Sequence, residues 1–327
     1  MMVNMRAIRT LVMALGVGLL ATLVLTGHSV AAEKYPKKNL NWIVMWKAGG
    51  GADTATRLFV KQFEKFIGKK VIVQNITGGG GSIGYTAAKN AKPDGYTLVT
   101  IQGDLPKFKP MGLAPVDIGD FDIMGGFAFQ SPVIVARSDS PWKTAKDFVE
   151  DAKKKPGKLT VGVSDIGGTY HQPMVLWMQA AGFDAKAIVH EGSPQQTAAL
   201  LGGHVDVNVT WVRPNIPYIK EGKLRFLGYI SSERLPQYPD VPTFREFGWD
   251  VIWEHPYGIG GPKGLPEHAK KVLSEATKKV WKIPEFEKDL DKLGLSILKK
   301  DGPAYTEHMY KMQKDMTTAL RIIKGGS

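Results

Sequence analysis

The 327-residue chain carries 43 basic and 31 acidic side chains, a formal net charge of +12, and no cysteine. The missing cysteine excludes disulfides, thiol catalysis and a lipid-modified thiol at a cut site, so an exported form depends on its packed core alone. Basic charge admits nucleic acid, membrane surfaces or acidic solutes as partners. Yet Lys61, Lys65, Lys153, Lys154, Lys155, Lys270, Lys271, Lys278 and Lys279 lie on helical patterns without interleaved aromatics, which reads as solvated faces.

Arg6 and Arg9 precede an apolar run over 11–25 and small residues over 26–32, the pattern of a secretory signal. Residues 1–32 are therefore expected to be a cleaved signal peptide, cut near Ala31 or Ala32, with export to the periplasm. An uncleaved anchor is the alternative, although the run is shorter than the roughly 20 apolar residues of a membrane span. Without Arg6 and Arg9 the charge of +12 falls to +10, and the remainder is long enough to predict two domains. Export turns that charge towards anionic solutes, with no nucleic-acid partner.

An apolar strand over Trp42 to Trp46 leads into Lys47-Ala48-Gly49-Gly50-Gly51-Ala52-Asp53 and then a helix, with Asp53 or Thr54 as its expected cap. Phe59, Phe63, Phe66 and Ile67 recur at helical spacing, and Gly68 is placed to end the helix. A second strand, Val71 to Gln74, runs through Ile76 and Thr77 into Gly78, Gly79, Gly80, Gly81, Ser82 and another helix. Glycine lets backbone approach a ligand, and a helix start offers amides with no intrahelical partner. Two such loops in tandem suit a small anion.

The same rhythm continues with a strand over Tyr96 to Ile101, a strand over Val133 to Ala136 and a charged helix over about 144–155. A strand over Leu159 to Val163 opens onto Ser164, Gly168, Thr169 and His171, followed by a helix to Ala181. Ile188 and Val189 begin another strand, Gln195 to Leu201 is helical, and 205–209 and 226–230 are strands. From Pro266 the chain is mostly helical, broken at Pro284 and at Gly302-Pro303. Strands alternating with helices predict an α/β fold with parallel sheets. Gly125-Gly126-Phe127 and the stretch from Trp249 to Gly261 are read as paired crossings between lobes.

Competing chemistries are weak. Gly79-x-Gly81-x-x-Gly84 with Asp104 downstream meets a dinucleotide fingerprint on paper, but it follows the second strand rather than the first. No Gly-Lys-Ser/Thr follows the glycines, so no phosphate-binding loop of that type is present. Gly162-Val163-Ser164-Asp165-Ile166 fails the Gly-x-Ser-x-Gly nucleophile elbow, and the Ser164/His171 pair has no acid partner in the pattern. The remaining histidines lack metal-ligand spacing. No catalytic residue, cofactor or metal is expected. Lys47 sits inside the first loop, where it either meets a carboxylate or faces solvent, and Trp46 either walls the pocket or packs in the core.

These segments resemble the receptors of tripartite tricarboxylate transporters, the Bug family. Val44 to Asp53 is similar to that family's first loop, Val73 to Gly84 to its second, and Pro93-Asp94-Gly95-Tyr96-Thr97-Leu98 matches without change. Ser164 to His171, His190-Glu191-Gly192, Leu201 to Asp206 and Asp240-Val241-Pro242-Thr243 extend the similarity in order along the chain. The resemblance implies a two-lobed periplasmic binding protein fold, each lobe a mainly parallel sheet flanked by helices, with hinge strands between. Residues 33–137 and 249–327 would form one lobe and 138–248 the other. It implies a monomeric receptor that closes on a di- or tricarboxylate and delivers it to integral membrane permease subunits. An exported hydrolase and a carboxylate-sensing partner of a sensor kinase are the alternatives. The ligand contacts it implies are Gly49, Gly50, Gly51, Ala52 and Asp53, Gly79 to Ser82, Ser164, Gly168, Thr169, His171 and Asp206, joined by Trp46 and Lys47 from the reading above. The family's loop prolines are replaced at Met45, Lys47 and Ala48, and its Arg-Pro pair by Ile76-Thr77.

Overall fold

The computed structural model describes residues 35–164 and 168–324, so the expected signal peptide lies outside the described residues. The elements are β1 (Leu40–Val44), α1 (Gly51–Ile67), β2 (Val71–Asn75), α2 (Ser82–Lys89), β3 (Thr97–Gln102), β4 (Phe121–Gln130), β5 (Pro132–Arg137), α3 (Ala145–Lys154) and β6 (Thr160–Val163). They continue with α4 (His171–Ala181), β7 (Lys186–Val189), α5 (Ser193–Leu201), β8 (Val207–Trp211), α6 (Ile216–Lys220) and β9 (Leu224–Tyr229). The last are β10 (His255–Pro262), α7 (Glu267–Val280), α8 (Pro284–Asp291), β11 (Ser296–Ile297) and α9 (Gly302–Ile323).

Two mixed sheets result. The first has the order β11-β4-β10-β3-β1-β2 and the second β7-β6-β8-β5-β9. The expectation of mainly parallel sheets holds for their cores: β1 pairs in parallel with β2 and β3, and β6 with β7 and β8. It fails where β10 inserts antiparallel between β3 and β4, and where β5 runs antiparallel to β8 and β9.

Both glycine-rich stretches read as crossings are largely strand. Gly125, Gly126 and Phe127 lie inside β4, and Tyr257 to Gly261 inside β10. Their glycines answer a packing demand. A Cβ at Gly258 would stand 2.1 Å from Tyr305 Cε1 and 2.5 Å from Gly125 O, and one at Gly126 would stand 2.5 Å from Leu298 Cδ2. The chain passes from first sheet to second between Gln130 and Pro132 and returns between Trp253 and His255. We propose those points as the lobe limits in place of 137/138 and 248/249. Val189 ends β7 rather than beginning it.

The cores follow from strand alternation. Ile43 of β1 and Met45 just beyond it join Tyr85, Val99 and Phe108 on one face. Trp42 faces the other way, edge-on to Phe59, Phe63 and Phe127, with its indole N–H donating to Thr100 Oγ1 at 2.8 Å. In β5, Val133 and Val135 pack with Leu224 and Phe226, whereas Ile134 and Ala136 pack with Val207, Trp177 and Phe148. Helix α9 serves both sheets. Tyr305 and Met309 belong to the core of the first, Met312 and Met316 to that of the second.

Gly258→Ala must displace Tyr305, whose hydroxyl donates to Ile101 O at 2.8 Å. The expected loss is about 1–3 kcal/mol, the usual cost of overpacking a filled core. Urea unfolding checks it, and an unchanged midpoint would show that Tyr305 has room to move.

Candidate functional site

Helix α1 starts at Gly51 behind an N-cap glycine, Gly50, that has no side chain to cap it. The first backbone bond is Thr54 N to Gly50 O, 2.9 Å, which leaves the Gly51 and Ala52 amides without an acceptor among the described residues. Asp53 caps nothing here. It is buried and turned inward, accepting from Gly49 N at 2.9 Å, Asn75 Nδ2 at 2.9 Å and Arg57 Nε at 2.9 Å. Asn75 also donates to Trp46 O at 2.8 Å. Asp53 and Asn75 therefore tie both ends of the first loop to β2. Burial pushes the Asp53 carboxyl up, but the bonds from Arg57, Asn75 and Gly49 outweigh it and hold the group below the ordinary range.

The second loop is glycine for a conformational reason. Gly78, Gly79, Gly80 and Gly81 have φ of 122°, 56°, 62° and 104°, a run that other residues adopt only with strain. It folds as a tight 3-10 turn with Gly81 N donating to Gly78 O at 2.9 Å, and α2 then begins, again without a side-chain cap. A Cβ at Gly84 would lie 2.6 Å from Ile76 O and 2.8 Å from Met45 Cβ, so α2 packs directly on the end of β1.

Across from these loops the second sheet presents α4 and α5, whose N-caps, Tyr170 and Gly192, likewise make no side-chain cap bond. The Tyr170 hydroxyl and Ser193 Oγ lie 3.1 Å apart, and the Tyr170 ring sits edge-on to Trp211 at 5.2 Å. Trp211 in turn contacts His255 of the first sheet at 5.7 Å. The space enclosed is a cavity of about 950 Å³.

Its polar lining from the first sheet includes Gln102, Asp104, Lys107, Gln130, His255 and Tyr257. Asp104 is buried and accepts from Gln102 Nε2 at 2.9 Å and Lys107 Nζ at 3.0 Å, with His255 Nε2 3.9 Å away. Burial raises its carboxyl, and Lys107 foremost more than offsets this, so the group is held low and ionised. Burial pushes the His255 imidazole down more than Asp104 raises it, so the ring is neutral at pH 7. The Tyr257 hydroxyl accepts from Gln130 Nε2 at 2.8 Å, and burial keeps it protonated. Its own proton is therefore directed elsewhere, and the oxygen stands 3.7 Å from where a Gly51 Cβ would be.

Of the residues expected from sequence, the structure brings Trp46, Lys47, Gly50, Gly51, Ala52, Gly80, Gly81, Ser164 and Thr169 to the cavity wall. Gly49, Asp53, Gly79, Ser82, Gly168, His171 and Asp206 are not part of the lining. Gly49 donates to Asp53, Ser82 N closes the 3-10 turn on Gly79 O, and Gly168 O accepts from Gln172 N. His171 is buried at the first position of α4, outside the cavity lining to which Ser164 belongs. Asp206 binds Thr160 N and Thr160 Oγ1, each at 2.7 Å, and fastens the start of β6. Sequence reasoning missed Gln102, Lys107, Gln130, Tyr170, Ser193, Trp211, Arg213, His255 and Tyr257. Several sit at strand ends, and the position of Ser193 after Gly192, at a helix start, was the one usable signal.

A family model described as tripartite tricarboxylate transporter family receptor matches residues 55–325. A protein of the gbd 5' region of Cupriavidus necator is 30% identical over 300 residues, covering 90% of this chain and 90% of that one. The solved structure of a TctC solute binding protein from Polaromonas, without ligand, is 28% identical with a TM-score of 0.81, covering 88% of this chain and 99% of that one. MatC from Rhodopseudomonas palustris, solved with malate, is 23% identical with a TM-score of 0.68 over 87% of this chain and 99% of its own, a likeness of fold.

Asp53→Ala should release the first loop and cost about 1–3 kcal/mol, since Gly49 N–H and the Asn75 amide lose a buried acceptor. The depressed Asp53 carboxyl contributes stability above its unfolded value near 4, and that contribution is lost as pH falls through the lower folded value. Acid unfolding of wild type and variant should therefore converge as pH falls below the ordinary carboxylate range. A gap in stability that stays constant with pH would show that Asp53 does not carry the loop.

Proposed function

The chain belongs to the tripartite tricarboxylate transporter receptor family, whose members are solute-binding proteins and not enzymes, and on that premise we propose that it captures a small carboxylate between its two sheets and hands it to an integral membrane permease. The observation that carries this reading is the convergence on one cavity of four helix starts without side-chain caps, two from each sheet. The α1 start offers the Gly51 and Ala52 N–H groups, all four starts add the positive end of a helix dipole, and an oxyanion satisfies both. Tyr257 adds a hydroxyl donor beside the α1 start, and Lys47 and Arg213 add positive charge. The malate held by MatC is a ligand of this chemistry. Export to the periplasm through residues 1–32 is the part of the proposal that joins capture to a permease.

A thermal-shift screen of mono-, di- and tricarboxylates tests capture. A ligand at 100 times its Kd should stabilise the fold by about 2.7 kcal/mol. No shift with any carboxylate would sink the proposal. Lys47→Ala should weaken binding of the best hit by about 1–3 kcal/mol, the value of a charge-assisted hydrogen bond. Tyr257→Phe should cost about 0.5–1.5 kcal/mol through its lost donor. Calorimetry reads both, and an unchanged Kd for Lys47→Ala would place that side chain in solvent in the bound form.

A further inference from the structure

Trp211 ends β8 on the second sheet and lines the cavity. Along the strand it stands opposite Pro132, the first residue of β5 after the outward passage at Gln130. Its ring meets that of His255, the first residue of β10 after the return passage, with centroids 5.7 Å apart. The indole therefore reaches from one sheet to the other between the two backbone passages, at the end of the cavity where the sheets are joined. It is held there. Asn215, fully buried, donates from Nδ2 to Trp211 O at 2.8 Å and fixes the backbone. The Tyr170 ring packs edge-on to the indole at 5.2 Å, and His255 is in turn edge-on to Tyr257 at 5.4 Å. Tyr170, Trp211, His255 and Tyr257 thus form a continuous run of rings across the cavity. The run extends from the start of α4 on the second sheet to the start of α1 on the first, where the Tyr257 hydroxyl stands beside Gly51.

We infer that Trp211 is a specificity-determining residue for ligand length: its indole closes the inner end of the cavity and limits the chain that can lie over the rings. The inference rests on the carboxylate reading above and adds to it the side chain that imposes a size limit. Two physical arguments support it. Parts of a hinged body nearest the pivot move least when the body turns. A stop placed between the two passages therefore keeps the cavity nearly the same depth whether its mouth is open or shut. The second argument concerns stiffness. An indole is a rigid plate with two torsions, and an overlong chain must push it out of its contacts with Tyr170 and His255. Removing the ring opens that end and leaves the helix starts, where the acid group would sit, unchanged.

The experiment is calorimetry at neutral pH with two straight-chain series, the dicarboxylates from succinate to sebacate and the monocarboxylates from butyrate to decanoate. Wild type should show an optimum in length, with affinity falling about tenfold or more for the first methylene beyond it. Trp211→Ala should move that optimum to a longer chain, each newly accommodated methylene tightening binding about fourfold. Trp211→Leu should move it part of the way. Trp211→Phe keeps a ring in place and should hold the optimum within about one methylene of wild type. Thermal unfolding checks that each variant folds, and if Trp211→Ala does not, the leucine and phenylalanine variants read the same ordering. An optimum unmoved in the folded alanine or leucine variant would overturn this inference alone. A uniform loss at every length would do so too, since that is what a merely structural side chain produces. So would a wild type that binds all lengths alike, or that binds another carboxylate and no straight-chain one. Failure of every carboxylate would overturn both this and the reading beneath it.

Discussion

Helix starts that no side chain caps govern the cavity of this molecule. A strand that runs in parallel with its neighbours and feeds a helix through a short loop delivers the helix start to the same edge of the sheet each time. Here β1, β2 and β6 feed α1, α2 and α4 in that manner, and α5 follows β7. None of these four starts carries a side-chain cap, whereas α3, away from the cavity, has a full capping box between Thr144 and Asp147. Helices α7 and α8 also start without a side-chain cap, so what sets the four apart is that their starts reach the cavity lining. Glycine at Gly50, Gly81 and Gly192 removes the very side chain that would finish them.

Holding such ends open places a demand on the rest of the loop, and the buried polar side chains meet it. Asp53 and Asn75 lock the first loop against β2, and the Asp53 carboxylate takes up the Gly49 amide that would otherwise compete for the ligand. Asp206 and Thr160 do comparable work at the start of β6. These are polar residues in glycine-rich or strand-end contexts, which is where ligand contacts are also found. None of the four belongs to the cavity lining: they fix backbone behind it.

That distinction marks the limit of what the sequence shows. The two glycine loops, the Gly68 stop, which is left-handed at φ 69°, and the helices of the C-terminal third were legible because glycine and apolar periodicity are local signals. Whether Asp53 pointed into the cavity or into the wall was not, because both orientations present the same residue type at the same place. The larger omission has a topological cause. Tyr257 and His255 come from β10, and Gln130 from the end of β4, strands whose glycines made them read as linkers. Those glycines exist because Tyr305 and Leu298 press against them, a contact between segments far apart in the chain. No window of sequence contains both partners, so the strand that floors the cavity was hidden along with its residues.

Helix α9 has a mechanical consequence for a receptor of this shape. Its first half is rooted in one core through Tyr305 and Met309, and the following turns enter the other core through Met312 and Met316. The two backbone passages near Gln130 and Trp253 are thus supplemented by a third tie, made wholly of side-chain contact. Thioether chains are unbranched and adapt their shape at little cost. A seam built from them can re-pack at little cost without parting, so α9 joins the two cores by a flexible weld where the backbone passages join them by covalent bonds.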